Sequence, residues 1–165
     1  MMARIMGASR VWLTEQPELI RIINVNIEAN FGSSSSSSSS SSLSGLGGIT
    51  TESLYWSREN AQRFRDVNGC PDFVVCCDCI YEPFWGDSYR ALLDCMDLLC
   101  EEGGVGIISV ERRNADGVDK FLELARGRME VRHVMEDHHL KWHIYELRHH
   151  HDSSSHNGHN GHGDK

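Results

Sequence analysis

Residues 71–99 read PDFVVCCDCIYEPFWGDSYRALLDCMDLL and join two different periodicities. From Asp72 to Tyr81 the chain is apolar almost without a break (Phe73, Val74, Val75, Ile80), which predicts a strand buried on both faces at the centre of a parallel sheet. EPFWGD is turn-like. From about Ser88 to Glu101, residues Tyr89, Leu92, Leu93, Met96 and Leu99 follow the i, i+3, i+4 rhythm of an amphipathic helix, with Gly103 and Gly104 to end it. A buried strand feeding a helix is the repeating unit of α/β folds.

Downstream, VGIISVE (105–111) is again a buried-type strand. Asp116 suits the N-cap of a further helix, with Asp119 in its first turn and Val118, Phe121, Leu122 and Ala125 on one face. Glu130 to Met135 and Lys141 to Leu147 read as strands joined by the polar turn EDHH, hence antiparallel. Upstream, RVWLTE (10–15) predicts a strand, and Pro17 opens a helix to about Asn30 that carries Ile20, Ile23 and Ile27 on one face and ends near Gly32. Ile49 to Trp56 is a second strand. The succession implies an α/β sheet with an antiparallel pair at its C-terminal end.

Ten consecutive serines (Ser33–Ser42), with the residues up to Gly48, predict a flexible insertion over 32–48. The stretch 149–165, rich in histidine and without an apolar side chain, predicts a disordered tail, and residues 1–9 an irregular start. What remains, 10–148, is the size of one domain.

Composition narrows the classes of function. No apolar run approaches the roughly 18 residues of a membrane span, so no membrane partner is expected. The formal charge is −8, which gives phosphate backbones no attracting field, so nucleic acid is not expected either. Cys76, Cys77 and Cys79 lie along one predicted strand, where successive side chains leave opposite faces and cannot readily pair or converge on a metal. With no basic or long apolar segment in Met1 to Ser9, reduced thiols in a cytoplasmic or nuclear protein are expected. No metal site is assigned to the folded part. The six imidazoles of the tail would bind nickel, copper or zinc weakly, or serve only as a solvated tail.

Five positions carry candidate chemistry. Glu15 stands at the end of the first predicted strand, where a carboxylate can accept two hydrogen bonds from a ribose diol, or merely sit near a helix N-terminus. Asp78 interrupts the most apolar strand and needs a compensating partner. With Tyr81 it could grip an amine, or it could hydrogen-bond neighbouring backbone. Trp56 and Trp85 could form an aromatic rim over a ligand, or pack in the core.

Taken together, VWLTEQPELIRIINVNIEAN, SLYW, PDFVVCCDCIYEPFWGDSYRALLDCMDLL, SVERRNADGVDKFLELA and WHIYEL resemble, in order and spacing from about Val11 to Leu147, a known family. It is the class I, seven-strand S-adenosylmethionine-dependent methyltransferases, and within it the protein-lysine group with a DxxY motif. The resemblance implies a Rossmann-like α/β sheet with an antiparallel C-terminal strand pair, S-adenosylmethionine as cofactor and a lysine-bearing protein as substrate. It puts Asp78 and Tyr81 on the catalytic DxxY positions, and Glu15, Trp56 and Asp78 among the cofactor-binding ones. A non-catalytic interaction module derived from such an enzyme is the alternative. One departure stands out. The family opens with a strand and a glycine-rich loop that would lie between the first and third strands read here, and MMARIMGAS holds neither, so an N-terminally truncated domain is expected.

Overall fold

Val11–Glu15 (β1) and Ile49–Ser53 (β2) are β-rich segments that pair in parallel, Val11 opposite Ile49 and Glu15 opposite Ser53. Pro17, whose fixed φ suits a first helical position, starts a single 3₁₀ turn, Pro17–Leu19, which passes into helix α1, Ile20–Phe31. Ile27 is buried and Ile20 and Ile23 half-buried, the face expected from their spacing. The Tyr55 hydroxyl donates to the Glu18 carboxylate at 2.7 Å, which holds the Glu18 pKa below its ordinary value. The computed structural model describes residues 3, 6–31 and 48–150, in two compact units, one ending at Tyr55 and the other beginning at Trp56. The serine tract, most of the histidine tail and part of the irregular start lie outside the described residues.

The larger unit contains helix α2 (Arg58–Asn68), strand β3 (Phe73–Cys77), a short helix α3 (Glu82–Trp85), helix α4 (Tyr89–Leu99), strand β4 (Val105–Glu111), helix α5 (Val118–Arg126) and strands β5 (Met129–Asp137) and β6 (Trp142–His149). Its sheet runs β3-β4-β6-β5, with β3 parallel to β4 and the remaining pairs antiparallel. The antiparallel C-terminal pair is therefore present, in a mixed α/β architecture. Ile108 and Val110 of β4 and Tyr145 and Leu147 of β6 meet Leu92, Leu93 and Met96 of α4 and Val118, Phe121 and Leu122 of α5 in one core. Gly106 lies within that core, where a Cβ would come within 2.7 Å of the Met96 methyl.

EPFWGD is not only a turn, since Glu82–Trp85 form the short helix α3, and three further expectations change. The strand around Val74 is not central: β3 is the edge of its sheet, and burial alternates along it. Val74 and Cys76 face the core, while Phe73 and Val75 are 62% and 60% exposed. An unbroken apolar run fits a strand buried on both faces, yet only one face of β3 is packed. Second, the sequence reading assigned no element between Trp56 and Asp72, where α2 stands. Ser57 caps α2 by accepting from the Asn60 amide at 3.1 Å, Ala61 and Phe64 are its buried face, and Gly69 ends it with φ 81°. Two apolar positions among charges are too narrow a stripe for periodicity to reveal. Third, His149 belongs to β6 rather than to the tail: it pairs with Met129, and its ring nitrogen lies 2.7 Å from the Asp97 carbonyl oxygen.

Candidate active site

Asp78 follows the last residue of β3 and leaves the strand with φ 53°, a left-handed conformation that aspartate tolerates better than most residues. Its amide donates to the Ser109 carbonyl of β4 at 2.7 Å, so the turn out of β3 is tied to the neighbouring strand. The two carboxylate oxygens have different surroundings. Oδ2 accepts from the Arg113 guanidinium at 2.9 Å, whereas Oδ1 is buried and has no hydrogen-bond partner among the described residues. A shielded acceptor without a donor is costly in a folded protein and calls for a partner.

Arg113, which the sequence reading did not single out, is the residue that joins Asp78 to Glu111 and Tyr81. Its Nη2 also donates to Glu111 at 2.7 Å, and its guanidinium carbon lies 5.2 Å from the centre of the Tyr81 ring. Hydrogen bonds to Asp78 first, and then to Glu111, raise the Arg113 pKa above its already high value. The signal was the basic pair Arg112-Arg113 directly after β4, at the carboxyl end of a parallel strand next to the one that Asp78 follows.

Behind the arginines stands Asp116, only 3% exposed. It accepts from the Arg113 amide at 2.8 Å, the Val118 amide at 2.9 Å and the Arg112 side chain at 3.1 Å, while its carbonyl takes the Glu82 amide at 2.9 Å. Asp116 thus ties the loop after β4 to the starts of α3 and α5. The N-cap position of α5 is Gly117, one residue after Asp116, and the Asp116 side chain serves the first helical amide from there.

Tyr81 precedes α3 and packs on its aromatic residues, 5.2 Å from Phe84 and edge-on to Trp85 at 6.5 Å. Phe84 and Trp85 are largely exposed, so the Tyr81 side of the loop presents an aromatic surface to solvent. Lys120 holds α3 in place by bonding both Glu82 oxygens, at 2.6 and 2.8 Å. Asp78, Tyr81, Arg113, Glu111 and Trp85 are therefore linked in one constellation beyond the carboxyl ends of β3 and β4.

The other two expected residues lie elsewhere in the chain. Trp56 follows β2 and packs, half-buried, against the core of the larger unit. Glu15 ends β1 in the smaller unit, and its Oε1 accepts from the Gln16 amide at 2.9 Å, a contact with the backbone entering the 3₁₀ turn.

All six cysteines are free, and burial raises the thiols of Cys95 and Cys100 to about 11 and about 12. Cys76 is also raised well above its ordinary value, by its hydrogen bond with Cys79 first and then by burial.

Comparison with known proteins agrees with this architecture. A protein called secreted RxLR effector protein 48, from Plasmopara viticola, is 40% identical over 126 residues, 74% of this chain and 62% of that protein, so the chain spans less than two thirds of the relative's length. The family model described as lysine methyltransferase matches residues 1–128, a span that includes β1 through α5. By that match, this chain belongs to the lysine methyltransferase family.

Proposed function

We propose that the chain is an S-adenosylmethionine-dependent protein-lysine N-methyltransferase whose acceptor site is built on Asp78 and Tyr81. The observation that carries this reading is the shielded, unpartnered Oδ1 of Asp78, whose carboxylate is joined through Arg113 to Tyr81 and its aromatic neighbours. A lysine ε-amine offers N–H donors to such an oxygen, while its methylene stem suits aromatic walls. Arg113 engages Oδ2, which orients the carboxylate so that Oδ1 remains free for the amine. This makes Arg113 a positioning residue.

By the family resemblance Glu15 is assigned to the ribose diol of the cofactor, and its Oε1 accepts from the Gln16 amide. Trp56 offers an indole for the adenine. S-adenosylmethionine supplies an electrophilic methyl group, so that a nitrogen–carbon bond forms, the sulfur–carbon bond breaks and the nitrogen loses a proton. The chain's task is to hold the neutral amine in line with that bond and shield it from water. The acidic balance of the chain favours a lysine-bearing protein over a nucleic acid or an anionic membrane as partner. Six free thiols favour a reducing cytoplasmic or nuclear setting.

A second reading, a non-catalytic interaction module derived from a methyltransferase, is favoured by one observation: the described strands form two separate sheets, β1-β2 and β3-β4-β6-β5. The two readings separate experimentally. Calorimetry with millimolar S-adenosylmethionine should give heat of binding, and labelled methyl groups should pass to lysines of a protein mixture. Asp78→Asn should reduce that transfer by about 100-fold while leaving cofactor binding measurable. Absence of cofactor binding by the folded chain, with a protein partner still captured, would establish the interaction module instead.

A further inference from the structure

We propose that His133, Glu136 and His143 on the β5–β6 hairpin bind a divalent transition-metal ion of the zinc class. On a regular strand, His133 and Glu136 would point to opposite faces, because three residues is an odd step. Here His133 is opposite Tyr145 and Met135 is opposite Ile144, so Val134 is an extra residue in β5. That bulge turns Glu136 onto the same face as His133. Glu136 then stands directly opposite His143, which shares its face with Tyr145.

One ligand atom from each of the three side chains lies within 4.8 Å of the others. His133 Nε2 and His143 Nδ1 are 3.2 Å apart. Two nitrogens bound to one ion at about 2.0–2.1 Å in tetrahedral geometry are separated by about 3.3 Å, so the imidazoles already have the required spacing. Glu136 Oε2 lies 3.9 Å from His143 Nδ1 and 4.0 Å from His133 Nε2. It needs to close by about 0.6 Å, a small rotation for a side chain that is partly in solvent.

The surroundings orient the ligands. The His133 ring packs nearly parallel to both His143, at 5.1 Å, and Tyr145, at 4.8 Å, with interplanar angles of 18° and 23°. His138 reaches the second Glu136 oxygen at 3.0 Å, an outer partner of the kind that steadies a ligating carboxylate. The nearby positive charge of Arg112 opposes a cation, but it is offset by the bonds of Arg112 to Asp116 and Asp119. Two imidazoles and one carboxylate favour zinc, nickel, copper or iron over magnesium or calcium, and three ligands leave a position for water. Bound there, the ion would clasp the edge strand β5 to β6. This site is distinct from any capture by the tail histidines.

Cobalt(II) is the probe, because its visible absorption reports coordination, and the full chain is the sample. A variant with His150, His151, His156, His159 and His162 replaced by serine should still take up one equivalent and show the band of a four- or five-coordinate ion. In that background, His143→Asn and Glu136→Gln should each weaken binding by more than the roughly 10- to 100-fold that outer partners contribute. Circular dichroism checks the fold, and if His143→Asn unfolds, Glu136→Gln decides because its carboxylate is not part of the core. Loss of all binding in the serine variant, or unchanged affinity in Glu136→Gln, would overturn the proposal.

Discussion

Asp116 bears more structural weight than Asp78, although the sequence singles out Asp78. It is nearly sealed from solvent and accepts three hydrogen bonds, two of them from backbone amides. Asp116→Ala should destabilise the larger unit by about 2–4 kcal/mol, because the orphaned donors stay buried, and urea unfolding with an unchanged slope would measure it. The cysteines give an independent check on local packing. With the Cys95 and Cys100 thiols raised to about 11 and about 12 by burial, almost no thiolate exists there at pH 8. Exposed Cys77 should react rapidly with a disulfide reagent at that pH, and Cys95 and Cys100 only on unfolding. Rapid modification of all six in the native protein would contradict this packing. The sequence named Asp78 and Tyr81 because their types and spacing are local features. It did not couple Arg113 to them, since that contact spans 35 positions and depends on how β3 and β4 lie side by side.

Helix α2 shows how an element escapes periodicity and is then fastened by charge. Its Arg65 bonds Glu101 and Glu102 beyond the end of α4, and Arg58 reaches Asp97 at 3.3 Å. The Arg65 hydrogen bond, the largest cause, lowers the Glu101 pKa. A carboxylate with a depressed folded value stabilises the protein fully above its unfolded value of 4.5, and that contribution disappears as pH falls through the folded value. Arg65→Gln should therefore flatten the acid limb of stability, seen as a smaller difference between urea midpoints at pH 6 and pH 3 than in the parent. High salt should shrink the parent's difference too, because the pair is partly in solvent. An identical acid limb in the variant would assign the effect to other carboxylates. Helices α4 and α5, by contrast, were legible from apolar spacing alone, because each buries a broad stripe in the core. Helix α1 was legible for the same reason over Ile20, Ile23 and Ile27, while its 3₁₀ entry was not.

Within the larger unit, β4 and β6 are the inner strands of the sheet and bear the core residues Ile108, Val110, Tyr145 and Leu147. Their amides should be the slowest to exchange with deuterium, and alternate amides of the edge strand β3 should exchange much faster. Phe121→Ala, which removes a fully buried ring, should lower the protection of all the slow amides together by about 3–5 kcal/mol. Uniformly slow exchange along β3 would mean that its outer edge is covered.

The strands, the helices α1, α4 and α5, the antiparallel ending and the residues that match the lysine methyltransferase family could be read along the chain, because side-chain periodicity and short motifs are properties of neighbouring residues. Pairing is different. The edge position of β3, the Arg113 bond to Asp78, the union of Asp116 with three segments and the bulge that aligns His133 with Glu136 all arise from strand register and loop closure. Register is chosen by the packing of the whole sheet, and a shift of one residue reverses every side chain, so these features emerge only when distant segments meet.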